Sequence, residues 1–345
     1  MSTAKTILCL TVFIGQVFFM HGQNPQASKS GIRIMFYNVE NLFHPSDDPL
    51  KKDEEFTPDG TRYWTNYRYW TKLKQIAQNI IAIGEWEPPA IVGLCEVENI
   101  QCLNDLVHNT PLKAFDYKII HQESKDNRGI DVAFIYRPAF FPLINFHSFV
   151  LNFPDQSRSS RDILMLSGLV GKDTLHCFVN HWPSRYGGQL ATAPKRGYAA
   201  LVLKSKIDSI QRGNPNANIL AMGDFNDYPN DVSLSEILAA HKDSTSLKYN
   251  ELINLSWQFV SKTGTNKYQH EWHVLDQFII NKKLMTAGNS LHTDFELIKI
   301  FSPEWLLEPE KDGFGKKPYR TYMGYKYQGG FSDHLPIYLD IMINK

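Results

Sequence analysis

The sequence predicts a mixed α/β sandwich, in which β-strands and α-helices pack around one large core. Short apolar runs with strand periodicity recur along the chain, and stretches with helical periodicity lie between them. The second half also contains neighbouring strands with no helix between them, which argues against a regularly alternating βα barrel. With 345 residues, of which 43% are hydrophobic, the chain can bury the core that such a sandwich requires.

The strand and helix signals can be placed along the chain. Strands are expected at Ile32–Tyr37, Ala90–Cys95, Tyr117–Ile120, Val132–Tyr136, Ile163–Val170, Leu175–Asn180, Ile219–Met222, Val274–Ile280 and Leu335–Ile341. Helices are expected at Tyr69–Ile83, Ile100–Val107, Ala193–Ile210 and Val232–Ala240. No repeat, low-complexity tract or Gly/Ser linker divides the chain after residue 30, so we expect a single domain over residues 32–345.

The N-terminus has the features of a secretory signal. Lys5 is followed by an apolar run from Ile7 to Met20 and then by a polar break. This run is too short to span a membrane, and we expect no transmembrane segment. The sequence therefore predicts a signal peptide over residues 1–22, a lead-in segment over residues 23–31, and a secreted or periplasmic protein.

The charge balance and the cysteines exclude further classes of protein. Lys and Arg total 36, as do Asp and Glu, which is unlike a basic nucleic-acid clamp or an acidic tail protein. Outside the signal, the cysteines are Cys95, Cys102 and Cys177, and none has the spacing of a zinc site. We expect three buried thiols, with a Cys95–Cys102 disulfide as the alternative that the spacing leaves open.

A dense aromatic stretch leads into the first long helix. It consists of Tyr63, Trp64, Tyr67, Tyr69 and Trp70. Packing of a loop and a helix start against the core is the favoured interpretation, and a stacking platform for nucleobases is the alternative. The segment Tyr319–Tyr327 presents a similar choice, between a packed loop and a contact with a base or a lipid surface.

Polar side chains stand at the ends of the first and last predicted strands. Asn38 and Glu40 follow the first strand and alternate onto one face, where they offer an amide and a carboxylate oxygen. Asp333 and His334 lie between a glycine pair and the strand Leu335–Ile341, so we expect them on a loop at the mouth of that strand. Each pair alone is also compatible with a purely structural role.

The second and third polar clusters add an acid and a histidine. Glu96 directly follows a very apolar strand, so its burial requires a cation or a hydrogen-bond donor, and its oxygens suit Mg²⁺, Mn²⁺ or Ca²⁺. Glu98 is expected to face solvent. His181 ends another strand, where it can bind a phosphoryl oxygen or carry a proton, and Arg185 can add positive charge.

The fourth cluster contains two carboxylates and an amide. Gly223 lets the chain turn sharply, and Asp224 and Asn226 then share a face, an arrangement suited to holding and polarising a water. Asp276 lies within a strand run, where an unpaired carboxylate would be costly. We expect its partner to be a histidine.

In chain order, these motifs resemble the endonuclease/exonuclease/phosphatase superfamily, which includes pancreatic deoxyribonuclease, apurinic endonucleases, sphingomyelinases and inositol-polyphosphate 5-phosphatases. The motifs are YNVENLF, GLCEVEN, RGIDVAFIYRP, NHW, GDFND, LDQFII and SDH, of which GDFND and SDH are the most specific. The resemblance covers nearly all of residues 32–340. It implies a four-layer α/β sandwich of two mixed β-sheets flanked by helices, with the polar strand ends meeting at one edge.

The resemblance implies a metal site. Glu96 would be the principal ligand of a divalent ion, with Asn38 and Glu40 around the same ion and Asp333 completing the site. Mg²⁺ is the expected ion, with Mn²⁺ and Ca²⁺ as alternatives.

The resemblance also implies catalytic roles. His334, oriented by Asp276, would contact the scissile phosphate or transfer a proton. Asp224 and Asn226 would position the attacking water or the phosphate. His181 matches a second histidine of the deoxyribonuclease and sphingomyelinase branches that apurinic endonucleases lack, which argues against a dedicated abasic-site enzyme.

Two further residues have open assignments. Asp131 falls within a residue of the acidic partner expected for His181, and the alternative is a strand-start carboxylate in a structural hydrogen bond. Arg128 can reach a phosphate, although arginine is common in loops.

The expected function is hydrolysis of phosphodiester bonds by a secreted metal-dependent phosphoesterase, above all a nuclease, through in-line attack of water. A phosphatase or phosphodiesterase acting on phospholipid head groups, sugar phosphates or small nucleotides is the alternative. A catalytically silent binding module is disfavoured, because the motif residues are all present. We expect nucleic acid or another phosphodiester as the partner, no obligate protein partner, and a monomer.

Overall fold

Two seven-stranded mixed β-sheets form the centre of the protein in the computed structural model, which describes residues 31–154, 160–243, 251–311, 313 and 315–344. The predicted signal peptide and all but the last residue of the lead-in segment lie outside the described residues. The strands are β1 (Gly31–Leu42), β2 (Ile91–Val97), β3 (Lys118–His121), β4 (Asp131–Tyr136), β5 (Leu143–Phe149), β6 (Ile163–Val170), β7 (Asp173–His181), β8 (Asn218–Asp224), β9 (Ala240–His241), β10 (Leu252–Asn254), β11 (Asn266–Tyr268), β12 (Glu271–His273), β13 (Asp276–Asn281), β14 (Leu291–His292), β15 (Ile298–Ile300), β16 (Leu307–Pro309), β17 (Lys316–Pro318), β18 (Tyr322–Met323), β19 (Lys326–Tyr327) and β20 (Ile337–Ile343).

The first sheet has the order β14-β20-β1-β2-β4-β3, with β15 also paired to β20, and the second has the order β5-β6-β7-β8-β13-β10-β9. Three two-stranded hairpins, β11–β12, β16–β17 and β18–β19, lie outside the two sheets. The helices are α1 (Asn66–Gly84), α2 (Ile100–His108), α3 (Gln189–Gly213) and α4 (Lys282–Met285). Short 3₁₀ helices cover Glu54–Phe56, Pro111–Phe115, Leu255–Phe259 and Glu304–Leu306, and a short π-helix covers Ser233–Ile237.

Side-chain alternation along the strands creates four layers. In β1, Ile34 and Phe36 point into the core between the two sheets, whereas Met35 and Tyr37 point to the opposite face. That outer face packs against α1 and α2, and the outer face of the second sheet packs against α3. The four-layer sandwich predicted from the sequence is therefore confirmed.

The first long helix forms where its sequence pattern indicates. The hydroxyl of Thr65 accepts a hydrogen bond from the Arg68 backbone amide and caps the helix start. Buried side chains then recur every three or four residues, at Tyr69, Leu73, Ile76, Ile80 and Ile83. Within the aromatic stretch, Trp64 and Tyr69 are buried as expected, but Tyr63 and Tyr67 are exposed.

The secondary structure differs from the prediction mainly in short elements. Each of the nine predicted strands and three of the four predicted helices are present. The expected helix Val232–Ala240 is instead the π-helix, followed by β9, which pairs with β10. A left-handed backbone conformation at Ala239, with φ of 56°, ends the helical turn and allows the buried Ala240 to enter the sheet.

Two further predictions concern burial and membrane spans. Cys95, Cys102 and Cys177 are buried and free, as predicted. Within the described part of the chain, no helix is long and apolar enough to cross a membrane.

Parallel pairing brings the ends of the functional strands together. β1 is parallel to β2, and β7 is parallel to β8, so the carboxyl ends of these pairs lie at the same edge of their sheets. Contacts of β8 with β1 and β2 join the two edges across the sandwich. The polar clusters predicted from the sequence follow these strand ends.

Candidate active site

A buried carboxylate and an imidazole form the most tightly connected pair of the site. Asp276 Oδ2 lies 2.7 Å from His334 Nδ1, and both side chains are almost fully buried. Burial lowers the pKa of His334, but the hydrogen bond and the charge of Asp276 outweigh it and raise this pKa well above its usual value. The predicted histidine partner of Asp276 is thus the one in the SDH motif.

A serine holds the loop that carries this histidine. The Ser332 hydroxyl donates to the Asn38 carbonyl at 2.7 Å and accepts from the His334 amide at 3.0 Å. The loop is thereby attached to the end of β1. Ser332 lies within the SDH motif, but sequence reasoning did not assign it a role.

We expect Ser332→Ala to lower kcat about tenfold. The Ser332 hydroxyl holds the backbone of His334, so its loss lets the imidazole move, while the groups that face the substrate remain. The KM for a small diester should change less than threefold. Steady-state kinetics on bis-p-nitrophenyl phosphate measure both constants. An unchanged kcat would show that the loop is held without this hydroxyl.

Asp224 stands between the two imidazoles of the site. Its Oδ2 lies 3.7 Å from His181 Nε2 and 3.9 Å from His334 Nε2. Its Oδ1 accepts from the Asn226 amide at 3.0 Å, and Oδ2 accepts from the Asn38 side-chain amide at 3.1 Å. Burial raises the pKa of Asp224 to about 7, against the opposing charge of His334.

The Asn38 amide links this group to Glu96. Asn38 Nδ2 also lies 3.3 Å from Glu96 Oε1, and Glu96 Oε2 accepts from the Asn41 amide at 2.9 Å. Both strands are irregular here, since the register shifts between Asn38 and Leu42 in β1 and between Cys95 and Val97 in β2. Such bulges re-aim side chains at the ends of strands.

Several site residues adopt a strained backbone conformation. Glu40, Asn41, Glu96 and Asn226 have φ angles of 50°, 54°, 63° and 51°. Left-handed conformations cost non-glycine residues free energy, and they persist where the surrounding structure requires them. At Glu96, the side chain reaches the Asn38 amide that also binds Asp224, whereas at Asn226 it is the backbone amide that binds Asp224.

Glu40 and Asp333 share a basic partner that sequence reasoning missed. Arg320 lies 2.9 Å from Asp333 Oδ2 and 3.3 Å from Glu40 Oε1, and the Thr321 amide donates to Glu40 Oε2 at 2.7 Å. Both oxygens of Glu40 thus have partners within the protein, which differs from the open ligand position expected for it. Burial and the charge of Asp333 raise the pKa of Glu40 to about 7.

A buried lysine also belongs to this network. Lys72 lies on the inner face of α1, and its ammonium donates to the Thr321 hydroxyl and the Phe331 carbonyl. Burial lowers its pKa to about 8, although the charges of Glu40, Asp333 and Glu96 oppose this shift. The helical spacing Tyr69–Leu73–Ile76 would have placed Lys72 on the buried face, and this signal was overlooked.

His181 lies in the site, but without the predicted partner. Its Nε2 is 3.8 Å from Glu96 Oε1, and its Nδ1 is buried without a hydrogen bond to any described residue. Burial, together with the charges of Arg161 and Arg128, lowers the pKa of His181 well below its usual value. His181 is therefore neutral near pH 7.

Asp131 does not pair with His181, and this prediction was wrong. Asp131 begins β4, accepts from the Ser124 amide at 3.0 Å, and lies 3.2 Å from His121 Nε2. The structural alternative, a strand-start carboxylate in local hydrogen bonds, is what the structure shows. The sequence motif could not show this partner, because the competing histidine, His121, lies on the neighbouring strand β3.

We expect Asp131→Asn to retain turnover within about twofold, because the amide oxygen can still accept from Ser124. His181→Ala should lower turnover by two orders of magnitude or more, as is typical for removal of a group in contact with the reacting atoms. Turnover of bis-p-nitrophenyl phosphate by the two variants and by the unmodified protein is measured side by side. Equal losses in the two variants would restore the predicted pairing.

The two predicted phosphate-binding arginines differ in availability. Arg185 donates to the Asn226 carbonyl at 2.7 Å and pairs with Asp227 and Asp231 at 3.3 and 2.8 Å. It therefore supports the loop after β8, which corrects the expectation of a free phosphate ligand. Arg128 is half exposed and lies 3.8 Å from Asp126, so it remains available for a phosphate.

Glu98 corrects a second expectation. It is buried, and it accepts from the His44 amide at 2.6 Å instead of facing solvent. Burial raises its pKa to about 8. This glutamate supports the loop after β1 and points away from the cluster around Asp224.

The donor set fits a hard divalent cation. Glu96 and Asp333 supply carboxylate oxygens, the ligands that Mg²⁺, Mn²⁺ and Ca²⁺ prefer. Asn38 instead turns its side-chain nitrogen to Glu96 and Asp224, and its oxygen accepts from the Glu40 backbone amide at 3.0 Å, which differs from the oxygen ligand expected at this position. Burial by itself lowers the pKa of Arg320, but the negative charges of Asp333, Glu40 and Glu96 have the larger combined effect and raise this pKa. Negative charge is therefore concentrated at this end of the sheet. Asp224, Asp276 and His334 are also close enough to share an ion.

Comparison with known proteins identifies the family of the chain. The family model for the Endonuclease/Exonuclease/phosphatase family matches residues 33–343. No curated protein matches the sequence. Many solved structures share the fold, including the following three. Humanized TDP2 from D. rerio has a TM-score of 0.55 and 14% identity, covering 92% of this chain and all of that chain.

The other two structures are similarly distant in sequence. A family protein from Bacteroides thetaiotaomicron has a TM-score of 0.55 and 15% identity, covering 92% of this chain and 99% of its own. The catalytic domain of human Nocturnin with bound sulfate has a TM-score of 0.53 and 16% identity, covering 92% and 96%. The chain belongs to the endonuclease/exonuclease/phosphatase family and is a hydrolase of phosphate esters.

Proposed function

We propose that this protein is a secreted phosphodiesterase that hydrolyses nucleic acid with the help of a divalent metal ion. The observation that carries the proposal is that the Asn38 side-chain amide contacts both Asp224 and Glu96, with the Asp276–His334 pair beside Asp224. A solved structure of D. rerio TDP2 with a single-strand DNA product shows that this fold can hold such a strand.

The buried groups suit in-line attack of water on a phosphodiester. Asp224 accepts the proton of the attacking water, and its pKa of about 7 suits a base that works near neutral pH. His334, held in its charged form by Asp276, donates a hydrogen bond from Nε2 to a phosphoryl oxygen. The new P–O bond forms as the bond to the leaving oxygen breaks, and solvent protonates that oxygen.

The amides hold the reacting groups in place. Asn38 orients Asp224 and Glu96 at once, and Asn226 is fixed by its donation to the Trp182 carbonyl at 3.1 Å. Glu96 and Asp333 would hold a divalent cation, which would supply neutralisation of the phosphoryl charge. Because water is the nucleophile in this scheme, the reaction passes through no covalent enzyme intermediate.

Three substrates test the proposal with the mature protein. Supercoiled plasmid, bis-p-nitrophenyl phosphate and sphingomyelin are incubated with Mg²⁺, Mn²⁺ or Ca²⁺, and in parallel with chelator. We expect metal-dependent nicking of the plasmid that is lost in Glu96→Ala. Turnover of sphingomyelin with intact plasmid would refute a nuclease and favour a phospholipid substrate.

Secretion is tested separately. We propose cleavage after Gly22, so mass spectrometry of protein from the periplasm or the medium should find Gln23 as the first residue. An intact Met1 in the purified protein would contradict this.

A further inference from the structure

We propose that exposed tyrosines beside the active site form a base-stacking surface for a single-stranded segment of the substrate. Tyr63, Tyr67 and Tyr325 have exposed fractions of 63%, 78% and 66%. Together with Arg62 and Arg68, they are called the tyrosine surface below. The inference rests on the proposed nuclease function, and it adds the part of the substrate that this surface recognises.

Arg62 joins the two segments that supply these tyrosines. Its guanidinium donates to the Gly324 carbonyl at 2.9 Å, at the turn of the β18–β19 hairpin. The same guanidinium lies 4.8 Å from the ring centre of Phe56 and 5.3 Å from that of Tyr325. The Tyr322 hydroxyl donates to the Arg62 carbonyl at 2.9 Å. The hairpin and the loop before α1 are therefore one preformed surface.

Arg68 supports the other half of the surface. Its guanidinium donates to the Tyr63 carbonyl at 2.8 Å and lies 4.3 Å over the ring of Tyr327. No carboxylate lies within ion-pair distance of Arg68 among the residues that the structure describes. The Arg62 guanidinium pairs with Glu55 at 3.1 Å, so the positive charge that remains available beside the exposed aromatic rings is that of Arg68.

The two segments that carry the tyrosine surface also contact the active-site network. The hairpin begins at Tyr322, directly after Thr321, whose amide binds Glu40. On α1, Tyr67 lies five residues before Lys72, which is about 7.5 Å along a helix axis. Lys72 binds the Phe331 carbonyl in the loop that carries the site residues. Both segments that supply the tyrosines are therefore attached to residues that hold the site.

The chemistry of the surface favours nucleobases. Aromatic side chains stack on bases of any sequence, and neighbouring arginines attract the phosphates between them. Docking to a membrane would instead require a broad apolar face. The exposed hairpin side chains are Met323, Tyr325 and Lys326, of which only Met323 is aliphatic in character.

Binding without turnover tests the inference. The Glu96→Ala protein is titrated against a fluorescein-labelled twelve-residue oligo(dT), with fluorescence anisotropy as the readout. Adding Tyr67→Ala and Tyr325→Ala together should weaken the Kd tenfold or more, since stacking contributes severalfold per base. Arg68→Gln should reduce the salt dependence of the Kd, because one phosphate contact is lost.

An exposed aromatic elsewhere provides the matched control. Trp86 is 98% exposed and lies beyond the C-terminal end of α1, at the edge opposite the site. Trp86→Ala in the same background should leave the Kd unchanged. In the active protein, Tyr67→Ala with Tyr325→Ala should raise the KM for the oligonucleotide and leave the kcat on bis-p-nitrophenyl phosphate unchanged.

Two outcomes would overturn the inference. One is an unchanged oligonucleotide Kd in the tyrosine double variant, with metal-dependent plasmid nicking intact, which leaves the proposed function standing. The other is tyrosine-dependent binding to sphingomyelin–phosphatidylcholine vesicles without binding to the oligonucleotide, which would make the surface a lipid contact. Loss of plasmid nicking in the unmodified protein would instead be a failure of the proposed function.

Discussion

Glu96→Gln is expected to lower turnover by at least three orders of magnitude while leaving the fold intact. The substitution removes the negative charge at the expected metal site but retains an oxygen that accepts from the Asn41 amide. Since Glu96 is only partly buried and its neighbour His181, 3.8 Å away, has a pKa well below its usual value, we expect the free energy of unfolding to change by less than about 1 kcal/mol. The measurement is turnover of bis-p-nitrophenyl phosphate over a range of Mg²⁺ concentrations.

Glu98→Gln is the matched control for this substitution. It makes the same substitution two residues away, in a glutamate that supports the loop after β1 through the His44 amide. Because burial raises the pKa of Glu98 to about 8, this control changes the side chain without removing a full charge near pH 7. We expect near-normal turnover in this variant. Substantial turnover by Glu96→Gln, or equal losses in both variants, would exclude Glu96 as the principal metal ligand.

Lys72→Met is expected to produce the largest loss of stability, about 3–5 kcal/mol in the free energy of unfolding. Lys72 is buried, and its removal leaves the Phe331 carbonyl and the Thr321 hydroxyl without their hydrogen-bond donor. Glu40 and Asp333 also lose a nearby positive charge. Methionine fills most of the volume, so the cost reflects lost polar contacts more than a cavity.

Urea denaturation measures this loss, and Lys74→Met is the control on the same helix. Lys74 is exposed, and we expect its substitution to change the free energy of unfolding by less than about 0.5 kcal/mol. If Lys72→Met were as stable as the unmodified protein, Arg320 alone would be sufficient to balance the carboxylates.

Local patterns predicted most of the architecture. Alternating apolar residues in β1 and the three-to-four-residue spacing in α1 reflect which face of each element is buried, and this information is contained within a few consecutive residues. The cost of an unpaired carboxylate in a strand also predicted a histidine partner for Asp276, which the structure identifies as His334.

Other features of the site depend on contacts between distant parts of the chain. Glu40 and Arg320 are 280 positions apart, and no local signal connects them. Asp131 could have approached either His121 or His181, and the pairing of β3 with β4 decides for His121. The bulges at Glu40 and Glu96 likewise arise from the packing of both strands at the sheet edge.

The sequence by itself determined the fold class, the family resemblance and the identity of most polar groups at the strand ends, because these follow from periodicity and motif order. Only the tertiary structure decided how the charges are balanced. Lys72 and Arg320 reach the carboxylates from a helix and from a late loop, and Arg62 and Tyr325 meet from segments more than 250 positions apart in the chain. Side chains that are far apart in the chain meet only when the layers pack, and no local pattern specifies that meeting.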